Sequence, residues 1–169
     1  MGRILLADDS PHALRMGQEI LVAEGFDLVT AADGEAALAH LLDSDPDVFI
    51  ADSFLPARDG FDLTRWVRER KESGHVRVVL TAAMLEPFDP AKAEAAGAHA
   101  VLRKPFEASE LIALVKRLAA EASAARQAGI PAPEPDRERV RAAVTLALDA
   151  ALPRMIEELT DRVLVALRR

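Results

Sequence analysis

The sequence contains no cysteine and no tyrosine, and it has a single tryptophan among 169 residues. Without cysteine the chain can form no disulfide bond, and it has no thiolate for a zinc site, an iron–sulfur cluster or nucleophilic catalysis. The histidines show none of the HxxH or HExxH spacings of metal sites. We expect them to be ordinary exposed residues and not metal ligands or proton relays; they are His12, His40, His75 and His99.

The chain also lacks an excess of positive charge and a long hydrophobic run. Its formal net charge of −7 at pH 7 argues against a nucleic-acid-binding protein, whose working face should be basic. It has no uninterrupted apolar stretch of the length that a membrane span requires. The acidic Asp8 follows the start too soon for a signal peptide. These features predict a soluble cytoplasmic protein.

Short apolar runs alternate with helical patterns over the first 120 residues. The runs are too short for helices and often contain valine or isoleucine, which predicts buried strands over residues 4–7, 28–31, 48–51, 76–81 and 98–102. The patterns between and after them predict five helices, over residues 11–25, 36–42, 61–70, 90–96 and 109–122. This alternation predicts a doubly wound α/β domain with a parallel sheet.

The composition changes after residue 120. An alanine-rich helical pattern continues to residue 127, and three prolines at alternate positions then favour an extended connector. We therefore divide the chain into a domain over residues 1–120, a helix end and linker over 121–135, and a helical tail over 136–169. The tail has seven arginines and six acidic residues, a charge of +1, which leaves −8 for residues 1–135.

Apolar residues of the tail recur at spacings of three and four, which predicts a seam for packing against another helix. They are Val140, Val144, Leu148 and Leu152 before Pro153, and Ile156, Leu159, Val163 and Leu167 after it. A segment this short cannot bury the seam against itself. We predict self-association. Docking on another protein, on the domain or on a membrane surface are the alternatives, and the acidic residues disfavour a membrane.

Polar residues follow the predicted strands at their carboxyl ends, where open α/β sheets bind ligands. Asp8 and Asp9 follow the first strand and Asp52 follows the third, while Thr81 ends the fourth and Lys104 lies just beyond the fifth. Converging carboxylates repel each other, and Mg²⁺ is the cation that such a site with open water positions suits. A carboxylate can also act as a nucleophile and form an acyl phosphate. The sequence therefore predicts Mg²⁺-dependent phosphoryl transfer.

These motifs resemble the receiver domain of two-component response regulators. The matching segments are Leu5-Leu6-Ala7-Asp8-Asp9-Ser10, Asp52-Ser53-Phe54-Leu55-Pro56 with Asp59-Gly60, Thr81-Ala82-Ala83, and Gly97-Ala98 through Lys104-Pro105-Phe106. The resemblance covers residues 1 to about 120 and implies a five-stranded parallel sheet in the order 2-1-3-4-5. It also implies that a sensor histidine kinase phosphorylates Asp52.

The resemblance assigns further roles to individual residues. Asp9 and Asp52 would hold Mg²⁺ directly, together with the Phe54 backbone carbonyl, and Asp8 would act through water. The Thr81 hydroxyl would bind a phosphoryl oxygen. The ammonium of Lys104, a residue of the last motif, would pair with the phosphate as a point charge.

Three positions depart from the usual receiver pattern. Val101 occupies the switch position, where receivers usually carry a tyrosine or phenylalanine that turns inward on activation; valine has no ring and one dominant rotamer. Phe54 follows the acceptor by two residues, and Ala83 places no polar side chain at a second position that tunes phosphate lifetime. We expect the bulk of Phe54 to restrict the attacking water and to lengthen that lifetime.

Two classes of function follow from this resemblance. The first is a regulator, not an enzyme beyond self-phosphorylation and self-dephosphorylation, that signals through oligomerisation or a partner protein bound by its tail. The second is a phosphorylation-independent scaffold assembled by the tail, since residues 148–159 are weakly similar to the oligomerisation segment of bacterial polar organising scaffold proteins. The tail is too short for a winged helix and lacks a basic recognition helix, so DNA binding is not expected. A haloacid-dehalogenase-type phosphatase needs Asp-x-Asp after the first strand, whereas Asp8 and Asp9 are adjacent.

Overall fold

The computed structural model describes residues 2–128, in which five strands alternate strictly with five α-helices. The strands are β1 (Arg3–Ala7), β2 (Asp27–Ala31), β3 (Val48–Asp52), β4 (Arg77–Ala83) and β5 (Ala100–Lys104). The helices are α1 (Pro11–Ala23), α2 (Gly34–Ser44), α3 (Gly60–Glu69), α4 (Pro90–Ala96) and α5 (Ala108–Gln127), with a 3₁₀ turn after α3 (Lys71–Ser73). The predicted alternation is confirmed, and the predicted tail over 136–169 lies outside the described residues.

All strand neighbours in the sheet are parallel, in the order β2-β1-β3-β4-β5. This confirms the doubly wound architecture and the implied strand order. The register places Asp52 of β3 opposite Thr81 of β4, and Ala83 of β4 opposite Lys104 of β5. Asp52 and Lys104 therefore end their strands at one edge of the sheet, whereas Thr81, predicted as the last residue of the fourth strand, lies two residues before its end.

Helices cover the sheet on both faces, and each face has its own apolar layer. Leu5, Phe49 and Leu80 pack on one side with residues of α2, α3 and α4. Ile4 and Ile50 pack on the other with residues of α1 and α5. All five residues of β3 are buried, as expected for a strand covered on two faces. Among residues 2–128, no helix has both the length and the apolar character that crossing a membrane requires.

Side-chain caps decide where several helices begin. Ser10 and three aspartates accept hydrogen bonds from first-turn amides of α1 to α4, which is the role that these residue types serve at helix N-termini; the aspartates are Asp33, Asp59 and Asp89. The Asp33 carboxylate accepts from the Ala36 amide at 2.8 Å. The second helix therefore starts at Gly34, two residues earlier than the apolar pattern predicts.

The last strand starts and ends two residues later than predicted. Ala98 was expected in the strand, but its amide donates to the Ala93 carbonyl at 3.1 Å and closes α4. Gly97, with a φ of 88°, forms the left-handed cap of that helix. Consequently β5 begins at Ala100, and Lys104 is its last residue instead of lying just beyond it.

The expectation of exposed histidines is wrong for His75, which is buried in the turn before β4. Its Nε2 lies 3.1 Å from an Asp45 carboxylate oxygen. Burial, together with the charge of Arg126, lowers the pKa of His75 below its ordinary value. Arg126, in the last turn of α5, also binds Asp45 at 2.6 Å and Asp47 at 2.8 Å. It therefore joins α5 to the loop before β3. His12 is exposed as expected.

His99 has a structural role just before β5, and we expect it to make the domain sensitive to acid. Its Nδ1 accepts from the Val78 amide at 3.0 Å, which requires an unprotonated nitrogen. Burial, and then the charges of Arg68 and Arg77, lower the pKa of His99 from 6.5 to about 4. This contribution to stability is fully present above pH 6.5 and is lost as the pH falls towards 4.

Thermal unfolding measured across this pH range tests the expectation. His99→Gln keeps an acceptor at every pH, so its melting temperature should fall less on acidification than that of the wild-type chain. His12→Gln, a change at an exposed histidine, should follow the wild type. Equal pH dependence in all three proteins would contradict the role of His99.

Candidate functional site

Polar side chains from four strands meet at the carboxyl edge of the sheet. Asp8 follows β1, Asp52 ends β3, Thr81 lies in β4 and Lys104 ends β5. Asp8, Asp52 and Thr81 are only 3%, 5% and 3% exposed. Buried carboxylates are stable only when hydrogen bonds and an opposite charge compensate for their lost hydration. The packing therefore requires a cation at this edge.

Lys104 supplies that cation. Its Nζ donates to Oδ2 of Asp8 at 2.6 Å and to Oδ2 of Asp52. Burial by itself would lower the pKa of Lys104, but the hydrogen bonds and charges of Asp52 and Asp8 outweigh burial and raise it. One ammonium thus neutralises two carboxylates that come from different strands.

Backbone amides hold the second oxygen of each carboxylate. Oδ1 of Asp8 accepts from the Ser10 amide at 2.9 Å. Oδ1 of Asp52 accepts from the Phe54 amide at 2.8 Å. Because one oxygen is fixed by backbone, the other keeps its direction towards Lys104. Oδ2 of Asp52 therefore faces the ammonium, and Oδ1 faces the backbone.

Ser53 is a structural part of the site that sequence reasoning did not single out. It is completely buried, and both its amide and its hydroxyl donate to the Thr81 carbonyl, at 2.8 and 2.9 Å. Its own carbonyl accepts from the Gly60 amide at 3.2 Å. A Cβ at Gly60 would lie 2.4 Å from the Asp52 carbonyl oxygen, so this glycine is needed for close approach. The only sequence signal for Ser53 is its place directly after Asp52.

The structure brings together some of the predicted site residues. Asp8, Asp52 and Lys104 are in direct contact, and Thr81 is the register partner of Asp52. Asp9 is exposed. Within residues 2–128, no three histidine or acidic side chains are gathered closely enough to hold a metal ion. The expected group of three carboxylates is therefore a buried pair bridged by a lysine, and the metal-binding roles stay predictions.

Apolar side chains shortly after β3 and β4 are exposed to solvent. Phe54, the residue whose amide binds Asp52, is 43% exposed. Met84 and Leu85, directly after β4, are 67% and 97% exposed. Val101, at the predicted switch position, is 37% exposed. Trp66 is half-buried against the core, which confirms the expectation that it is a packing residue.

A cavity of about 760 Å³ lies at the opposite edge of the sheet, away from these carboxylates. Its charged lining includes Arg3, Lys116 and Arg126. Each of these cations is already paired with an acidic residue. The cavity therefore offers no free charge for a ligand and is not the candidate site.

Comparison of the sequence with known proteins identifies one family. Residues 4–116 match the model of the response regulator receiver domain. PilG of Pseudomonas aeruginosa is 29% identical over 114 residues, which cover 68% of this chain and 84% of PilG. The DNA-binding response regulator MtrA of Mycolicibacterium smegmatis is 35% identical over 114 residues, which cover 68% of this chain and 49% of MtrA. The chain thus spans about half the length of some of its curated relatives.

Solved structures agree with this result. The chemotaxis response regulator CheY4 of Vibrio cholerae is 30% identical with a TM-score of 0.65, covering 70% of this chain and 98% of that structure. A response regulator of Chloroflexus aurantiacus is 31% identical with a TM-score of 0.66, covering 70% of this chain and 98% of that structure. Three observations support the same family: the match to the family model, the strand order, and the buried Asp52 at the carboxyl edge. The chain therefore belongs to the response regulator receiver domain family, the signalling modules of two-component systems.

Proposed function

We propose that Asp52 accepts a phosphoryl group from a sensor histidine kinase. The observation that carries this proposal is the placement of Asp52, a buried carboxylate at the end of the central strand with one oxygen held by Lys104 and the other by the Phe54 amide. Receiver domains are typically phosphorylated by such kinases. The match covers 84% of PilG, so PilG consists mostly of this domain. This supports a function that the domain performs by itself.

The chemistry follows from the groups present. Oδ2 of Asp52 attacks the phosphorus of phosphohistidine, the phosphorus–oxygen bond forms, and the imidazole nitrogen keeps the electron pair of the broken phosphorus–nitrogen bond. Lys104 then neutralises the transferred group instead of the free carboxylate. Thr81, opposite Asp52 in the register, supplies a hydroxyl on the neighbouring strand. Phosphoryl transfer depends mainly on such positioning and charge neutralisation.

We also propose that the site holds Mg²⁺, as receiver domains generally do at the phosphorylation site. The donor types suit this ion: Asp9, Asp52 and the Phe54 carbonyl would offer hard oxygen ligands, and Asp8 would act through water. Asp8 and Asp52 already share one cation, the Lys104 ammonium, which supports binding of positive charge by this pair. When bound, Mg²⁺ would neutralise phosphoryl oxygens.

We propose that the regulator transmits its signal by assembly or protein binding through residues 136–169, and not by binding DNA. The support is the apolar seam of that segment and its near-neutral charge. A second candidate function, a phosphorylation-independent scaffold, is favoured by one observation. The switch position carries Val101, a residue without the ring that usually moves on activation.

Sedimentation velocity of the full chain distinguishes the two candidates. The wild type is compared with and without Mg²⁺ and beryllofluoride, beside Asp52→Ala and a chain truncated after residue 130. We expect a change of mass with beryllofluoride that is absent in Asp52→Ala. Identical oligomers in every full-length sample, with monomers only after truncation, would favour the scaffold.

Phe54 is expected to control the lifetime of the phosphate. Its amide binds Asp52 and its side chain is 43% exposed, so we expect the ring to limit the approach of the hydrolytic water. We expect Phe54→Ala to dephosphorylate about 3- to 10-fold faster, as when one positioning contact of about 1 kcal/mol is lost. Decay of the phosphorylated mass after removal of the donor measures this rate. Leu42→Ala, at an exposed apolar residue of α2, is the control; a rate in Phe54→Ala equal to the control would contradict the idea.

A further inference from the structure

The strand that carries Lys104 lies at the edge of the sheet. β5 has a single strand neighbour, β4, whereas β3 with Asp52 is paired on both sides. Strand ends with few neighbours open more easily than central ones. The ammonium of Lys104 nevertheless reaches Asp8 and Asp52 across the sheet. The end of β5 therefore needs a restraint beyond its pairing with β4.

Arg103, the residue before Lys104, makes such a contact. The Arg103 guanidinium carbon lies 5.3 Å from the centre of the Phe88 ring. That ring stacks on Phe61 of α3, with centroids 5.6 Å apart and an angle of 29° between the rings. Lys92 of α4 lies over the Phe61 ring, with Nζ 4.3 Å from its centroid. These four side chains, here called the Arg103–Phe88 stack, join β5 to α3, α4 and the loop between β4 and α4.

The loop that carries Phe88 is itself fixed at both ends. The Glu86 carboxylate accepts from the Ala83 amide at 2.8 Å, and the Glu86 amide donates to the Ala83 carbonyl at 3.2 Å. Ala83 is the register partner of Lys104. At the other end, Asp89 caps α4 by accepting from the Ala91 amide at 2.9 Å. Phe88 is therefore held beside the end of β5 and can serve as an anchor.

We propose that Arg103 and Phe88 are positioning residues for Lys104: their contact holds the end of β5 so that the ammonium meets Asp52. The inference rests on the proposed function for its effect on phosphorylation, but the position of the ammonium can be measured without a phosphoryl donor. A cation–π contact at an exposed site corresponds to a factor of about 2 to 5 in rate.

The test compares Arg103→Gln and Phe88→Leu with the wild type in the full chain. Phe88→Tyr keeps the ring and serves as the conservative variant. Arg70→Gln is the matched control, because Arg70 makes a similar contact with Trp66, at 4.7 Å from the ring centroid, at the end of α3. Arg103 is exposed, so its replacement should leave the fold intact, and circular dichroism checks this.

Two measurements are made on each protein. The first is the ¹H–¹⁵N signal of the Lys104 ammonium, assigned by its absence in Lys104→Arg; such a signal is visible only while hydrogen bonds slow proton exchange. The second is the rate of phosphorylation by phosphoramidate with Mg²⁺, followed by intact mass. We expect Arg103→Gln and Phe88→Leu to lose the ammonium signal and to react about 2- to 5-fold more slowly. Phe88→Tyr and Arg70→Gln should behave like the wild type.

The inference is overturned if Arg103→Gln and Phe88→Leu keep both the ammonium signal and the rate of the wild type. It is also overturned if Arg70→Gln loses them to the same extent. A wild-type chain that takes up no phosphoryl group contradicts the proposed function, while its ammonium signal still decides whether the stack positions Lys104.

Discussion

Asp52→Asn is expected to lose phosphorylation almost completely, with a rate at least about 10³-fold below that of the wild type. The amide of asparagine keeps the shape of the side chain and can still accept from the Phe54 amide, as Oδ1 of Asp52 does at 2.8 Å. It has no anionic oxygen to attack phosphorus, and it removes the partner that Oδ2 offers to Lys104. The loss of phosphorylation would therefore come from the missing nucleophilic oxygen and not from a change of fold.

The full chain is incubated with phosphoramidate and Mg²⁺, and its intact mass is followed. Asp33→Asn is the matched control, because Asp33 caps α2 at the same edge of the sheet and asparagine caps a helix equally well. It should react like the wild type. Phosphorylation of Asp52→Asn at the wild-type rate, or a phosphorylated peptide without residue 52, would show that another residue is the acceptor.

Lys104→Met is expected to destabilise the domain in the absence of divalent cations by about 3 kcal/mol. Removing one partner of a buried ion pair leaves an uncompensated charge, and here two carboxylates, Asp8 and Asp52, lose their shared ammonium. We expect the lower end of the usual destabilisation for breaking a buried ion pair, because the Lys104 side chain is 26% exposed. Mg²⁺ should restore more stability to this variant than to the wild type, since the carboxylates are then free to bind it.

Urea unfolding with and without Mg²⁺ measures both effects. Lys116→Met is the control: Lys116 pairs with Glu24 at 2.6 Å but is 55% exposed, so its loss should cost less than about 1 kcal/mol and should not change the response to Mg²⁺. Equal stability of Lys104→Met and the wild type without metal would show that the lysine does not hold the carboxylate pair together.

Much of the fold follows from local patterns. Runs buried on both faces are apolar throughout, so β3 can be recognised in the sequence, and aspartates before the helices mark where they begin. The start of β5 could not be predicted, because it depends on a hydrogen bond from Ala98 to Ala93 that closes α4. The buried His75 lies beside Asp45, which is distant in sequence, so no local pattern predicts its surroundings.

The candidate site was predictable in its residue types but not in its geometry. The position of Asp8, Asp52 and Lys104 at the carboxyl ends of β1, β3 and β5 follows from parallel topology. That the ammonium lies between the two carboxylates, with Asp9 on the exposed side, depends on the end of β5 and on Ser53 and its hydrogen bonds to β4. Such contacts join residues far apart in the chain, and no local pattern encodes them.

Arg126 sets the length of the smallest chain that preserves the contacts of the domain. The apolar pattern places the domain boundary near residue 120, but α5 continues to Gln127. The Arg126 guanidinium binds the side chain and carbonyl of Asp45 and the side chain of Asp47, which precede β3. A chain cut at residue 120 would lose a cross-link between its last helix and the loop before β3, so isolated-domain experiments should retain residues through 128.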